Sequence, residues 1–191
     1  MSKQPPAPLR RAAAIAAALL ILLAAAAAAE DFPAHVVRII DGDTLRVAAA
    51  AAQYTIRLRG VDAPELAQPY GPAAAAAAHV LCANQDVTIQ AQPPDRYGRI
   101  IADVVLPDAT TLNNRLVAAG LAWWYKQFAP RDRVLKLLER GAQAARLGLW
   151  ADPSPTPPWT YRHARRPAPR PRPQTANPPA APTRPPPEAT Q

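Results

Sequence analysis

Four carboxylates fall in two neighbouring runs. Asp41 and Asp43 sit in Ile40-Asp41-Gly42-Asp43-Thr44, and Asp62 and Glu65 sit in Asp62-Ala63-Pro64-Glu65. Each lies in or beside an apolar segment, where an ionised carboxylate is costly unless it is paired or metal-bound. Two readings fit the spacing. Asp-Gly and Asp-Ala-Pro are good turn sequences with no metal at all. If the two runs are neighbours in space, their oxygens converge instead, and hard oxygen ligands suit calcium or magnesium. The pattern is not an EF-hand, because the loop closed by a bidentate Glu is absent. Arg57 and Arg99 add a second ingredient. Planar guanidinium groups beside a carboxylate–metal cluster match the extra negative charge of a pentacoordinate phosphorus. A carboxylate near an attacking water can take its proton. The plainer reading is that Arg57 and Arg59 line a solvent face.

The elements that must hold these groups read as strands first and helices later. His35 to Ile40 and Thr44 to Val47 flank the turn Asp41-Gly42-Asp43. In the run from Tyr54 to Val61, Tyr54, Ile56 and Leu58 alternate with Thr55, Arg57 and Arg59, the two-residue period of a strand. Val87 to Gln90 and Arg99 to Leu106 are further strands, joined through the turn-rich run Pro93-Pro94-Asp95-Arg96-Tyr97-Gly98. Helices are expected over Ala73 to Ala83, over Asn113 to Ala119 with Gly120 as its cap, and over Arg131 to Leu147. The last carries Val134, Leu137, Leu138, Ala142 and Ala145 at helical spacing. Five short strands with short connections predict a small closed barrel.

Five runs, in order, resemble the staphylococcal nuclease (thermonuclease) family. They are Ile40-Asp41-Gly42-Asp43-Thr44, Arg57-Leu58-Arg59-Gly60-Val61-Asp62-Ala63-Pro64-Glu65, Tyr70-Gly71-Pro72, Asp95-Arg96-Tyr97-Gly98-Arg99 and Leu147-Gly148-Leu149-Trp150. Asn113 and Gly120-Leu121-Ala122 also look like the family's second-helix region. The resemblance spans His35 to Trp150. It implies an α+β, mainly β fold, a five-stranded OB-fold barrel with three helices over residues 30–152. It also implies calcium-dependent hydrolysis of DNA and RNA by water attack on phosphorus, leaving 3′-phosphate ends. On the same resemblance, Asp43, Asp62 and the backbone carbonyl of Ala63 would bind calcium, and Glu65 would be the general base. Arg57 and Arg99 would hold the reacting phosphate, with Arg96 and Tyr97 on a neighbouring one. Asp41 falls near the metal but outside its ligands. The chain departs from the family in a short Glu65–Tyr70 segment, in alanines over Ala73–Ala78, and in Trp123-Trp124-Tyr125. These aromatics stand roughly where the family stacks bases; covering the core is the other role open to them.

The remaining composition sets bounds. The chain has 191 residues and a formal charge of +8, but residues 30–152 hold 13 basic and 13 acidic side chains. The folded part is therefore neutral, which predicts weak electrostatic capture of a polyanion. The positive charge lies at the ends. Lys3, Arg10 and Arg11 precede an apolar run from Ala12 to Ala29, the pattern of a secretory signal peptide over residues 1–29. That implies export to the periplasm or the extracellular space; an uncleaved segment would instead be a membrane anchor. Residues 153–191 contain 14 prolines and six arginines and read as a disordered tail, with Pro157-Pro158-Trp159-Thr160-Tyr161 apolar enough to pack back. The single cysteine, Cys82, excludes an internal disulfide and a multi-thiolate zinc site, and reads as a small buried residue. His35, His79 and His163 do not cluster and read as structural or surface residues. The resulting expectation is an exported, monomeric calcium nuclease acting on DNA and RNA. Its rivals are a noncatalytic OB-fold module that only binds nucleic acid, and a membrane-tethered envelope protein whose tail does the binding.

Overall fold

The computed structural model describes residues 31–165. The expected signal segment and the tail beyond Arg165 lie outside the described residues. Seven strands and four helices follow in order: β1 (Phe32–Ile39), β2 (Thr44–Ala49), β3 (Ala52–Leu58), β4 (Val61–Asp62), α1 (Gly71–Cys82), β5 (Asp86–Gln92), β6 (Ile100–Val105), α2 (Leu112–Ala118), β7 (Trp123–Trp124), α3 (Arg133–Ala144) and α4 (Pro158–Ala164), with a 3-10 turn at Gly148–Ala151 before α4.

Five of the strands close a barrel in the order β1-β2-β3-β6-β5, and β1 pairs back onto β5. All pairings are antiparallel except β3 with β6, where Ile56 meets Ile100 and Leu58 meets Ala102. The mainly β, OB-type barrel expected from the sequence is thus the one found. Its interior follows from strand alternation. Ala34 and Val36, Leu45 and Val47, Ile56 and Leu58, Val87 and Ile89, and Ala102 and Val104 all point inward and are buried.

The alanines of α1 have a packing reason. Ala74, Ala78 and Cys82 recur at four-residue spacing and are buried, so small side chains bring the helix close to the barrel. The Cys82 thiol donates to the Ala78 carbonyl, and burial pushes it up to about 11. In α2, Thr111 caps the first turn by accepting from the Asn114 amide. Asn113 is fully buried; its Nδ2 donates to the carbonyls of Arg59 and Ala102, and its Oδ1 accepts from the Val104 amide.

Three features differ from the sequence reading. The buried stripe of α3 is Leu135, Glu139 and Ala142, whereas Val134 and Leu137 are exposed. A buried charged residue on the stripe shifts the apparent apolar phase. The two-residue strands β4 and β7 form a second small sheet. The run Pro157–Tyr161 packs back onto the domain as its apolar character allowed, but it does so as α4, a fourth helix among the described residues within a stretch read as a disordered tail.

Candidate active site

The turn between β1 and β2 delivers Asp43. The Asp41 carboxylate accepts from the Asp43 amide at 3.0 Å, so Asp41 does turn work. Gly42 is required by space: a Cβ there would press on the Cβ atoms of Ala63 and Ala74, each 2.7 Å away. The turn is therefore packed directly on the Asp62-Ala63 segment. Asp43 Oδ2 accepts from the Ala63 amide at 2.6 Å, and Oδ1 accepts from the Thr44 hydroxyl at 3.1 Å. Burial pushes the Asp43 carboxyl up to about 7; Arg57 pulls it down, while Asp41 and Asp62 raise it.

β3 delivers Arg57 and β4 delivers Asp62. Arg57 Nη1 donates to the carbonyls of Leu58 and Val61, at 3.0 and 2.8 Å, which fixes the guanidinium plane. Its Nη2 lies 2.8 Å from Asp62 Oδ1 and 3.1 Å from Asp43 Oδ2. One nitrogen thus marks the point where two buried carboxylates converge. β4 pairs with β7, placing Asp62 opposite Trp123 and Val61 opposite Trp124. Arg59, on the same phase as Arg57 but just past the end of β3, pairs with Asp103 and Asp132 and takes no part in the site.

Glu65 follows in a short loop held by Gln68, which donates its amide to the Glu65 carbonyl and accepts the Glu65 amide. Gly71 makes this loop possible, since a Cβ there would overlap the Glu65 carbonyl. The Glu65 carboxylate is part-exposed and takes a 2.7 Å contact from Arg162.

The loop Asp95–Arg99 folds on itself. Asp95 accepts from the Tyr97 and Arg99 amides and from Arg99 Nε, so Arg99 is bound to Asp95 rather than to the four carboxylates above. Arg96 donates to the Tyr97 hydroxyl and lies 4.8 Å from that ring. Arg96 and Tyr97 line a groove of about 660 Å³ together with Trp123, Tyr125, Lys126 and Trp159. Strand alternation sorts the aromatic run: Trp124 is buried and donates to the Ala129 carbonyl, while Trp123 and Tyr125 face the groove.

The structure therefore brings together Asp43, Asp62, Arg57 and the Ala63 amide, with Glu65 at the edge. Arg96 and Tyr97 line the groove whose wall includes Arg162, and Arg99 stays on Asp95. Segment 55–152 matches the family model described as staphylococcal nuclease homologue. The chain belongs to the staphylococcal nuclease family. An uncharacterized endonuclease of Escherichia coli is 41% identical over 133 residues, covering 70% of this chain and 86% of the relative. A micrococcal nuclease of Shigella flexneri is 36% identical over 143 residues, covering 70% and 82%. A probable staphylococcal-like nuclease of rice is 37% identical over 116 residues, covering 61% of this chain and 34% of the rice protein.

The matched family segment ends at Asp152, yet two side chains beyond it reach the site. Trp159 stacks parallel to Tyr125, with centroids 5.2 Å apart and planes 2° apart, and meets Trp123 edge-on at 5.6 Å. Arg162 binds Asp62 and Glu65. Sequence reasoning missed both as site residues. The available signal was the apolar run Pro157–Tyr161 interrupting an otherwise Pro/Arg-rich stretch.

Proposed function

We propose that the protein is an exported, calcium-dependent phosphodiesterase. It hydrolyses DNA and RNA with little sequence choice, acts as a monomer, and leaves 3′-phosphate ends. Its family and its relatives make it a nuclease, a hydrolase of phosphodiester bonds acting on nucleic acid. The observation that carries the finer reading is the convergence of Asp43 and Asp62 on one point, now met by Arg57 Nη2.

The donor set fits a hard divalent cation. Among the described residues, no group of three or more His, Cys, Asp or Glu side chains forms a closed cage. The site would be an open one, with Asp43, Asp62 and the Ala63 carbonyl as oxygen ligands and water completing the shell. Calcium bound there supplies charge neutralisation for the phosphate and lowers the cost of ionising a nearby water. Glu65, part-exposed beside Asp62, takes the proton of the attacking water. Arg57, its plane fixed by two carbonyls, turns its Nη2 edge toward the charge that builds on phosphorus. Arg99 reaches the same phosphate from the Asp95–Arg99 loop, and Arg96 and Tyr97 hold the next phosphate along the groove. The aromatic cluster of Trp123, Tyr125 and Trp159 forms the groove wall against which the adjoining bases pack. As the water oxygen bonds to phosphorus the P–O5′ bond breaks, and the departing 5′ oxygen takes up a proton from solvent water. Export is supported by the basic, apolar, alanine-rich order of residues 1–29.

The test is cleavage of denatured DNA and of RNA by the purified protein, in calcium and then in excess chelator, with end-group analysis of the products. Calcium-dependent cutting that yields 3′-phosphate ends supports the reading. Binding of DNA without cutting by well-folded protein would replace it with the noncatalytic module.

A further inference from the structure

The C-terminal helix supplies a contact that the family segment does not contain. Arg162 forks the Asp62 carboxylate, with Nη2 2.8 Å from Oδ2 and Nη1 3.2 Å from Oδ1. The same Nη1 lies 2.7 Å from Glu65 Oε1. One guanidinium therefore spans the carboxylate read as a cation ligand and the carboxylate read as the proton acceptor. The two oxygens of Asp62 are divided. Oδ1, at the point shared with Asp43, takes both Arg57 Nη2 and Arg162 Nη1, while Oδ2 is held by Arg162. A fork of this kind fixes both the distance and the plane of the carboxylate it holds.

The helix that carries Arg162 is docked by its own contacts. Trp159 stacks on Tyr125, the Tyr161 hydroxyl donates to the Ala67 carbonyl at 2.9 Å, and Gln68 donates to the Thr156 carbonyl. Pro158 is buried. Gln68 and Ala67 belong to the loop that presents Glu65, so α4 braces that loop as well as reaching over it. The groove beside Trp159 stays open at about 660 Å³, with Arg162 in its wall. The helix walls the groove and does not fill it.

From this arrangement we infer that Arg162 is a positioning residue of the nuclease reaction: it sets the spacing and orientation of Asp62 and Glu65, and α4 is part of the active site. The inference rests on the reading of Asp62 and Glu65 given under Proposed function. Groups that hold ligating carboxylates from behind are commonly worth about 10–100-fold in metal affinity or activity. Charge alone acts the other way, since deleting a cation beside Asp62 would strengthen its attraction for calcium. The sign of the change therefore separates a positioning role from simple occlusion.

The experiment uses the full chain as wild type, Arg162→Gln and Arg162→Lys. Calcium binding is measured by calorimetry without nucleic acid, kcat and KM are measured on denatured DNA at saturating calcium, and melting checks the fold. In Arg162→Gln, calcium binding weakens by about 10–100-fold and kcat falls by a similar factor, with KM little changed and melting retained. Arg162→Lys recovers part of the calcium affinity but little of kcat, because a point charge cannot hold two carboxylates in one plane. Unchanged or tighter calcium binding with undiminished kcat in Arg162→Gln, beside an active wild type, would overturn this inference alone. A wild type that neither binds calcium nor cuts would overturn the underlying reading too.

Discussion

Glu65→Gln separates chemistry from folding at this site. The Glu65 carboxylate is part-exposed, and its side-chain partner is Arg162 at 2.7 Å. Gln keeps the shape and an amide oxygen that can accept from Arg162, which retains Asp62. The loop is held by backbone contacts to Gln68, which the change leaves in place. The lost ion pair is half-exposed on both sides, so its cost to stability is about 0–1 kcal/mol. Loss of a general base lowers turnover by roughly 10²–10⁴-fold, or about 2.7–5.5 kcal/mol of barrier. The expected result is a melting temperature within a few degrees of wild type and a kcat reduced at least a hundredfold. The assay is single-turnover cleavage of labelled denatured DNA in saturating calcium, followed across pH. A variant that cuts within tenfold of wild type would refute the assignment of Glu65. A variant that loses activity and unfolds together would refute the claim that the loop stands on its backbone.

Arg99→Ala removes a side chain bound to Asp95 on a part-exposed loop; kcat should fall by roughly 10²-fold or more with little change in melting, and parallel losses of both would count against a role at the phosphate. Asn113→Ala strips the Val104 amide and the Arg59 carbonyl of a buried partner, while the Ala102 carbonyl still accepts from the Arg59 amide; at about 1–3 kcal/mol for each orphaned group, calorimetry should show Tm lower by roughly 10 °C, and a shift under a few degrees would contradict the assigned bonds. Glu139 is buried, and burial raises its carboxyl, against the Trp124 amide and Lys126 that lower it. Its folded form holds the proton more tightly, so its contribution is fully present below the unfolded pKa and is lost as pH rises through the folded value. Glu139→Gln, which keeps an acceptor for the Trp124 amide, should therefore gain Tm over wild type at pH 8 and lose that advantage near pH 4; an advantage that grows toward acid would reverse the sign.

The barrel was legible because its strands bury one face. Ile56 and Leu58 alternate with Arg57 and Arg59, and that period survives without any knowledge of the partner strands. The carboxylates were legible because Asp43 and Asp62 stand in turn and strand-end motifs whose order matches a known family. Their convergence was not, since it depends on the Gly42 turn packing closely against Ala63. The face of α3 was misplaced because Glu139, a charged residue, occupies the buried stripe to accept from the Trp124 amide. β4 and β7 are two residues each, too short to leave a periodic trace. α4 was hidden by composition. It lies in a stretch whose prolines and arginines read as a solvated tail, and Pro158, Trp159 and Tyr161 carry the apolar surface that docks it.

The two-residue pairing of β4 with β7 has a geometric consequence for the substrate. It bonds the backbone of Asp62 to that of Trp123, and the Tyr125 amide continues the link to the Gly60 carbonyl. On the proposed reading, the aromatic wall that would meet a base and the carboxylate that would hold the cation at the scissile phosphate are thus joined by one short backbone pairing. A nucleotide seated on the aromatic side arrives at the cut with a set offset, like paper against a guillotine stop. Breaks would then fall at a constant distance from the stacked base, whatever its identity.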